Sequence, residues 1–432
     1  MKNLRWVMVI GVCLIGFLAY IDRVNLSVAA APIMKEYNFS ATQMGLILGA
    51  MFPGYLIFNV IGGAIMDRFA PTKFLMFAIA VWSLSTAWFT QITSFGLFYL
   101  SRFIFGSAEG FMPVYNTKII SNWMLPNERG RSQASWIAAT LIGMAIGAPV
   151  SGLMIKAYGW RTLFYIFTAF GFVIIAVLLT VMKDSPKEHR RISREELEMI
   201  ESTLEKERLN KAHTAGEVAT RAEIFGLLKD PYLWLISIGY FTAISMWWAN
   251  LTWLPGYLVS EKGFTVLKSG YLSAFPFLMG AIGLMCGGFI TDHFLKGRRI
   301  PLIFLFQLLS PPLVMVAIGS SNNAIMVTAF AISMFFTCGA VGQWWPLPME
   351  LFSRKLSATA GGIMSGIGTV GAIIAPVMLG YVFDATKSFY WGFGIIALVT
   401  FVGSFISLAI SGHEKMLQQK NAEGKGFPQS AA

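Results

Sequence analysis

Four ionisable residues stand inside stretches that are otherwise apolar. Asp22 and Arg23 lie in the run Ala19-Tyr20-Ile21-Asp22-Arg23-Val24-Asn25-Leu26-Ser27, and Arg102 and Glu109 lie between Ser101 and Gly110. A charge at the centre of a bilayer costs at least ~2.5–3.5 kcal/mol, so such residues mark work done on ions or protons. Arg102 and Glu109 are seven residues apart, which on a helix is about two turns, or ~10.5 Å, along one face. Both can point into one cavity. Asp22 and Arg23 are adjacent and diverge by about 100° around the helix axis, so they meet different neighbours. Two acids and two bases sum to neutrality, and protonating either acid leaves positive charge that can hold an anion. That is the electrostatic logic of proton–anion symport; the alternative is a static ion-pair network that only fixes helix packing.

The rest of the chain is built to place such groups in a membrane. Of 432 residues, 56% are hydrophobic and 13% charged, with a mean hydropathy of +0.63. Soluble domains carry roughly 25% charged residues, so an ordinary soluble enzyme is excluded. An aromatic content of 14% does not suit a disordered chain. Unbroken apolar runs, rather than alternation, exclude a transmembrane β-barrel. The three cysteines (Cys13, Cys286, Cys338) sit in apolar runs, and the four histidines have no ligand-like spacing. No metal or cofactor site follows from them. Twelve spans are predicted, at about 6–31, 42–66, 74–93, 96–118, 133–156 and 161–182, then 232–259, 268–291, 300–320, 323–347, 357–381 and 388–411. Lys2 and Arg5 before the first run resemble a signal peptide, but no small-residue cleavage site follows, so the run reads as a retained first span.

The fold class is therefore an all-α integral membrane protein. Its twelve transmembrane helices form two six-helix, pseudo-symmetric bundles over 1–182 and 232–411, with a cytoplasmic linker at 183–231 and a tail at 412–432. Within the linker, Ser193-Arg194-Glu195-Glu196 opens a charged amphipathic helix running to about Arg208. Twenty-five of the 33 Lys and Arg fall on the side of the termini and linker, six on the other side, and two, Arg23 and Arg102, inside spans. The excess puts both termini in the cytoplasm and makes the protein multi-pass, with a bacterial inner (plasma) membrane as its location. It also accounts for the net charge of +11 without nucleic acid.

The halves repeat. Gly63-Ala-Ile-Met-Asp67-Arg68 closes the second span and Gly288-Phe-Ile-Thr-Asp292-His293 the eighth, 225 residues later. Gly143-x3-Gly147-x-Pro149-x2-Gly152 in the fifth span is matched by Gly368-x2-Gly371-x4-Pro376-x3-Gly380 in the eleventh. Small residues let helices approach and proline lets them bend. Two such halves suggest a rocking transporter with its site at the half interface. Asp67, Arg68, Arg129 and Asp292 are candidate cytoplasmic gate residues, Asp67 pairing with Arg129 or Arg131.

With this layout, Gly-x3-Asp-Arg between spans two and three resembles the major facilitator superfamily over essentially the whole chain. Ala70 and Pro71-Thr72 depart from the glycine and basic residue common there. Tyr20-x-Asp22-Arg23, Arg102-x6-Glu109, Asn122-Trp123-x2-Pro126-x-Glu128-Arg129-Gly130 and Thr252-Trp253-Leu254-Pro255-x-Tyr257-Leu258 are similar to the anion–cation symporter family within it. That resemblance implies Asp22 and Glu109 as proton carriers, Arg23 as the substrate-anion contact, Arg102 as the internal counter-charge released on protonation, and Tyr55 as a cavity tyrosine. Ser365 stands where sugar-acid members often have Asn, and Asn59 where Gln is frequent. The second half offers Trp247, Trp248, Trp253, Trp344 and Trp345, with Gln343, so Trp248, Gln343, Trp344 and Ser365 join the candidate substrate site. Fewer long amides and more indoles suggest a short carboxylate, a small sulfonate or an aromatic acid.

The expected function is secondary active uptake: proton-coupled symport of a small organic anion by rocker-switch alternating access. Its partners are that anion, protons and the lipid bilayer, with no nucleic acid, no cofactor and a monomeric state. The rivals are an exchanger or exporter of the same fold and, remotely, a membrane receptor or enzyme, for which no phosphate loop, metal spacing or nucleophile–base set is found.

Overall fold

The computed structural model describes residues 3–213, 220–353 and 355–422, with the side chains of Ala64, Asp67, 208–213 and 413–422 outside that description. The regular structure of the described residues is helical. Nine helical stretches among them are long and apolar enough to cross a bilayer. Three further helical segments, α4 (Pro71–Trp88), the pair α5 (Phe95–Glu109) and α6 (Met112–Trp123), and α11 (Pro231–Ser260), stand where spans three, four and seven are expected. They complete the twelve. The fourth is made less apolar by Arg102, Glu109 and Lys118, the very residues that make it informative.

The chain divides into two compact units, Met1–Ala215 with Leu258–Ala274, and Gly216–Tyr257 with Phe275–Ala432. Unit 1 holds α1 (Leu4–Tyr37), α2 (Ala41–Gly49), α3 (Met51–Arg68), α4, α5, α6, α7 (Arg129–Tyr158), α8 (Trp160–Val181) and α9 (Arg194–His213). It also takes in the start of α12 (Val266–His293), where a Cβ on Gly270 would lie 2.5 Å from the Ala148 carbonyl. Unit 2 holds α10 (Arg221–Lys229), most of α11 and α12, and then α13 (Ile300–Gly319), α14 (Asn323–Trp344), α15 (Leu347–Leu351), α16 (Ser357–Thr386) and α17 (Phe389–Ala422).

The glycine–proline repeat performs one task twice. In unit 1, α7 lies along α1, and a Cβ on Gly143 would sit 2.8 Å from the Phe17 carbonyl. In unit 2, a Cβ on Gly371 of α16 would sit 2.8 Å from the Phe241 carbonyl of α11. Each half thus seats its fifth span against its first through a missing side chain. Tighter still is Gly106 of α5, whose Cβ would lie 1.9 Å from the Met51 carbonyl of α3. One turn on, at Gly110, the helix breaks between α5 and α6. The Asn59 amide donates to the Gly110 carbonyl at 3.1 Å, supplying a partner at the break. Asn59 is therefore engaged in holding span four, which gives a structural reason for an amide shorter than glutamine at this position.

The end of unit 1 that carries the basic residues explains the Asn122-to-Gly130 motif. Asn122 Nδ2 donates to the Asp184 carbonyl and Trp123 Nε1 to the Lys183 carbonyl, at 3.0 and 2.8 Å. Asp184 accepts from the backbone N and the hydroxyl of Thr72 at 2.7 and 2.6 Å, capping α4. Pro71-Thr72 replaces the family's basic residue with a first-turn proline and this cap. Glu128 receives Nε and Nη2 of Arg5 at 2.9 and 3.0 Å. Glu196 of α9 accepts from the backbone N atoms of Leu4 and Arg5 and from Arg5 Nη1 at 2.9, 3.2 and 2.9 Å. A buried carboxylate thus satisfies the open N–H groups of α1's first turn and complements its dipole. The linker helix starts where its Ser193 cap was read, the Ser193 hydroxyl accepting from Glu196 N at 3.3 Å. The short α10 was not anticipated, although Thr220-x2-Glu223 forms a reciprocal capping box that the sequence displays.

Two expectations follow. Gly106→Val should unfold or strongly destabilise the protein, because the missing side chain is backbone-tight, whereas Gly63→Ala, with open space around it, should leave the monodisperse fraction on size exclusion unchanged. The hydrogen bonds from Arg5 hold the Glu128 carboxyl below its usual range. A depressed acid contributes stability at neutral pH that disappears as pH falls through its folded value. Thermal unfolding of the wild type should therefore lose more stability on acidification below the ordinary carboxylate range than Glu128→Gln does; parallel curves would remove this assignment.

Candidate functional site

Unit 1 gathers the four ionisable residues that open the sequence argument. All are buried, at 2% exposure for Asp22, 7% for Arg23, 2% for Arg102 and 0% for Glu109. Among the described residues, every buried Asp, Glu and Arg belongs to unit 1. Span one is one unbroken helix through Asp22 and Arg23, so these two project in different directions, as their spacing requires.

The decisive contact joins spans one and four: Arg23 Nε donates to Glu109 Oε1 at 2.8 Å. The Arg23 guanidinium also lies 4.5 Å from the Tyr20 ring centre and 5.2 Å from that of Tyr55. Two aromatic faces and a carboxylate thus surround one buried cation, a cage that stabilises its charge. Tyr55, implied by the resemblance as a cavity tyrosine, stands beside this cation, and Tyr20 of the Tyr20-x-Asp22-Arg23 motif is a second wall. Asp22 accepts a long 3.4 Å contact from the Asn25 amide.

Arg102 makes no hydrogen bond or ion pair with Asp22 or Glu109. Its guanidinium packs 4.0 Å over the Phe105 ring and points Nη2 to Met51 Sδ at 3.8 Å, and its buried Nε makes no hydrogen bond. The resemblance implies Arg23 as the substrate-anion contact and Arg102, also a substrate-site candidate, as a counter-charge that Asp22 or Glu109 releases. In the structure Glu109 holds Arg23, and Arg102 is the cation whose Nε makes no hydrogen bond. Spacing along one helix could not decide this, because the partner comes from another helix.

In unit 2 the candidates separate. Trp344 is fully buried, donates Nε1 to Gln307 Oε1 at 3.2 Å and rests against Gly239, where a Cβ would come 2.2 Å from its ring. Gln307 continues to the Thr242 hydroxyl at 3.0 Å. Trp344 is thus an internal strut of its bundle. Gln343 accepts from Arg299 Nη1 at 2.9 Å, and Arg299 also donates to Glu350 at 2.6 Å. It sits at the end of α14, engaged by a basic residue. Trp248 is buried and stacks on Trp247 with ring centres 5.8 Å apart; Ser365 is half-buried on α16, its carbonyl accepting from Thr369.

Of the gate candidates, Arg129 gives both terminal nitrogens to Glu207 of α9 at 2.9 and 2.8 Å. Arg68 and Asp292 are exposed at the ends of α3 and α12, and the Asp67 side chain lies outside the described residues. Arg129 is thus occupied by the linker helix, where pairing with Asp67 was expected. No group of His, Cys, Asp and Glu able to hold a metal ion occurs among the described residues.

The family model for the Major Facilitator Superfamily matches residues 12–376, a span that takes in this ion cluster and both halves of the repeat. The chain belongs to the Major Facilitator Superfamily. Its relatives place it with the anion–cation symporter type. It is 27% identical over 422 residues to the probable galactarate/D-glucarate transporter GarP of Escherichia coli, covering 94% of this chain and 93% of that one. It is 31% identical over 414 residues to the probable sulfoacetate transporter SauU of Cupriavidus necator, with the same shares covered. A hexuronate transporter of Bacillus subtilis is 29% identical over 408 residues, 92% of each chain. The fold is similar to the crystal structure of a bacterial homologue of the human lysosomal transporter Spinster in an inward-facing, unoccupied conformation, with a TM-score of 0.75 at 16% identity over 99% of this chain and all of that one. The protein is thus a multi-pass membrane transporter and not an enzyme.

If Glu109 carries the buried Arg23, removing one partner leaves an uncompensated charge, at a cost of about 3–5 kcal/mol. Arg23→Met should lower the thermal midpoint of the purified protein more than the double variant Arg23→Met/Glu109→Leu does. Equal loss in both would show that Arg23 does not depend on Glu109.

Proposed function

We propose that the protein imports a small organic anion together with protons, by alternating access, across a bacterial inner membrane with both termini cytoplasmic. The observation that carries this reading is the buried Arg23–Glu109 pair at 2.8 Å, with Asp22 adjacent in sequence to Arg23 and Arg102 on the Glu109 helix. With both acids ionised, the four formal charges cancel. Protonating Glu109 removes the attraction that engages Arg23 and leaves the cluster positive. Arg23, steadied by Tyr20 and Tyr55, then accepts a carboxylate or sulfonate in place of Glu109. Arg102, with a free Nε, supplies a second positive centre. Loss of the proton restores the pair and expels the anion, so anion and proton travel together. Asp22 is the second candidate carrier. Trp248 and Ser365 are proposed as substrate contacts from unit 2; Gln343 and Trp344 are assigned to gating and packing. The lipid bilayer is the only other partner proposed, and the protein acts as a monomer.

The relatives carry names of sugar diacids, hexuronates and sulfoacetate. The replacement of a hydroxyl-binding amide by Ser365 favours the less hydroxylated end of that range, a short carboxylate or small sulfonate.

The test is proton flux and radiolabel uptake in proteoliposomes, with D-glucarate, a hexuronate, sulfoacetate and an aromatic carboxylate as the panel. Wild type should acidify the lumen with one class only. Glu109→Gln should retain counterflow yet lose accumulation against a gradient, and Arg23→Ala should lose both. Uphill accumulation by Glu109→Gln would sink the assignment of Glu109 as carrier.

A further inference from the structure

Asn116 of α6 follows Glu109 by seven residues and Arg102 by fourteen, and because Gly110 and Phe111 keep right-handed helical backbone through the break, the three fall near one stripe along span four. Asn116 is 0% exposed, and neither its Oδ1 nor its Nδ2 has a hydrogen-bond partner. An amide can offer two donors and accept twice, and buried polar groups are almost always paired. Glu109 Oε2, the oxygen turned away from Arg23, is buried and unpartnered as well. Two polar groups with open capacity therefore flank the break at Gly110, seven residues apart. Beyond Asn116, α6 runs on to Trp123, which docks on Lys183 at the basic end of the unit.

We infer that Asn116 holds ordered water linking Glu109 Oε2 to the basic end of unit 1, and that this is the route by which Glu109 exchanges its proton with the cytoplasm. The inference rests on Glu109 titrating in the proposed cycle. The chemistry balances: the proton on Glu109 passes to a bound water, which gives one of its own to the next, while the amide donates and accepts hydrogen bonds without ionising. Packing alone does not explain an amide here, because leucine offers the same branching at Cγ with no unmet polar atoms.

Other ionisable groups around the stripe have assigned positions. On α1, Asp22 contacts Asn25 and Arg23 contacts Glu109; Tyr55 on α3 walls Arg23; Arg102 on α5 lies over Phe105. From α4, Thr72 meets the hydroxyl of Tyr115, and Asp184 reaches Thr72. On α7, Arg129 is held by Glu207 and Arg131 stands in the same first turn. Asn116 is the fully buried amide of that stripe with both ends unspent.

The test is infrared difference spectroscopy on the reconstituted full-length protein after an acid jump. The Glu109 carboxyl band is assigned by its loss in Glu109→Gln. Asn116→Leu should slow the appearance of that band about tenfold or more, while Asn116→Ser, which can still hold water, should restore most of the rate. The thermal midpoint of Asn116→Leu should stay at or above that of wild type. If leucine is not accommodated, Asn116→Ala replaces it, again slow where serine is fast. A wild-type rate in the leucine or alanine variant overturns the inference and leaves the Glu109 assignment standing. Absence of any Glu109-dependent band overturns both.

Discussion

One buried ion pair constrains unit 1. Arg23 and Glu109 come from spans one and four, and neither charge tolerates an apolar interior without the other. Their 2.8 Å contact requires α1 and α5 to keep a fixed register. The close helix approaches supply that register. Gly143 brings α7 against Phe17 one and a half turns before Arg23, and Gly106 brings α5 onto Met51 just before Glu109. The break between α5 and α6 at Gly110, immediately past the carboxylate, is tied by Asn59. The glycines are the means by which two costly charges meet.

The units divide their polar interior by kind. Buried acids and arginines lie in unit 1, whereas the buried polar groups described in unit 2 are neutral. Ser310 links to Ser333 and Thr337 at 2.9 and 2.6 Å, and Gln307 joins Thr242 to Trp344. Such networks fix a helix bundle without responding to pH. An ionic network does respond, because a single proton changes its net charge. Titratable groups in one unit and neutral packing in the other suit the proposed coupling of a proton to a change of state.

At the basic end of unit 1, a motif read as a family marker turns out to be a docking station. Residues Asn122, Trp123, Glu128 and Arg129 hold, in turn, Asp184, Lys183, Arg5 and Glu207. The first helix, the exit from α8 and the linker helix are thereby tied to one short loop. Lysines and arginines counted only as a topological signal include Arg5, which bridges two carboxylates. Charge placement for orientation and charge pairing for structure are served by the same residue.

The sequence alone determined the twelve spans, their repeat and the identity of the costly charges. Each is a property of local composition: hydropathy, glycine spacing and single ionisable residues in apolar runs leave marks that need no partner to be seen. It also displays the seven-residue spacing of Arg102, Glu109 and Asn116, but only the structure shows that right-handed backbone at Gly110 and Phe111 carries that spacing across the helix break. Tertiary structure alone decided that Glu109 takes Arg23 rather than Arg102, because that choice depends on which helix α5 meets. It likewise gave Trp344 to Gln307, Gln343 to Arg299 and Arg129 to Glu207. Each of these side chains was recognised by type, but its role follows from a partner between 37 and 86 residues away for the three intrabundle pairs and 78 for the last. A hydrogen bond is made across space at about 3 Å, and sequence periodicity says which way a group points without saying what it will find there.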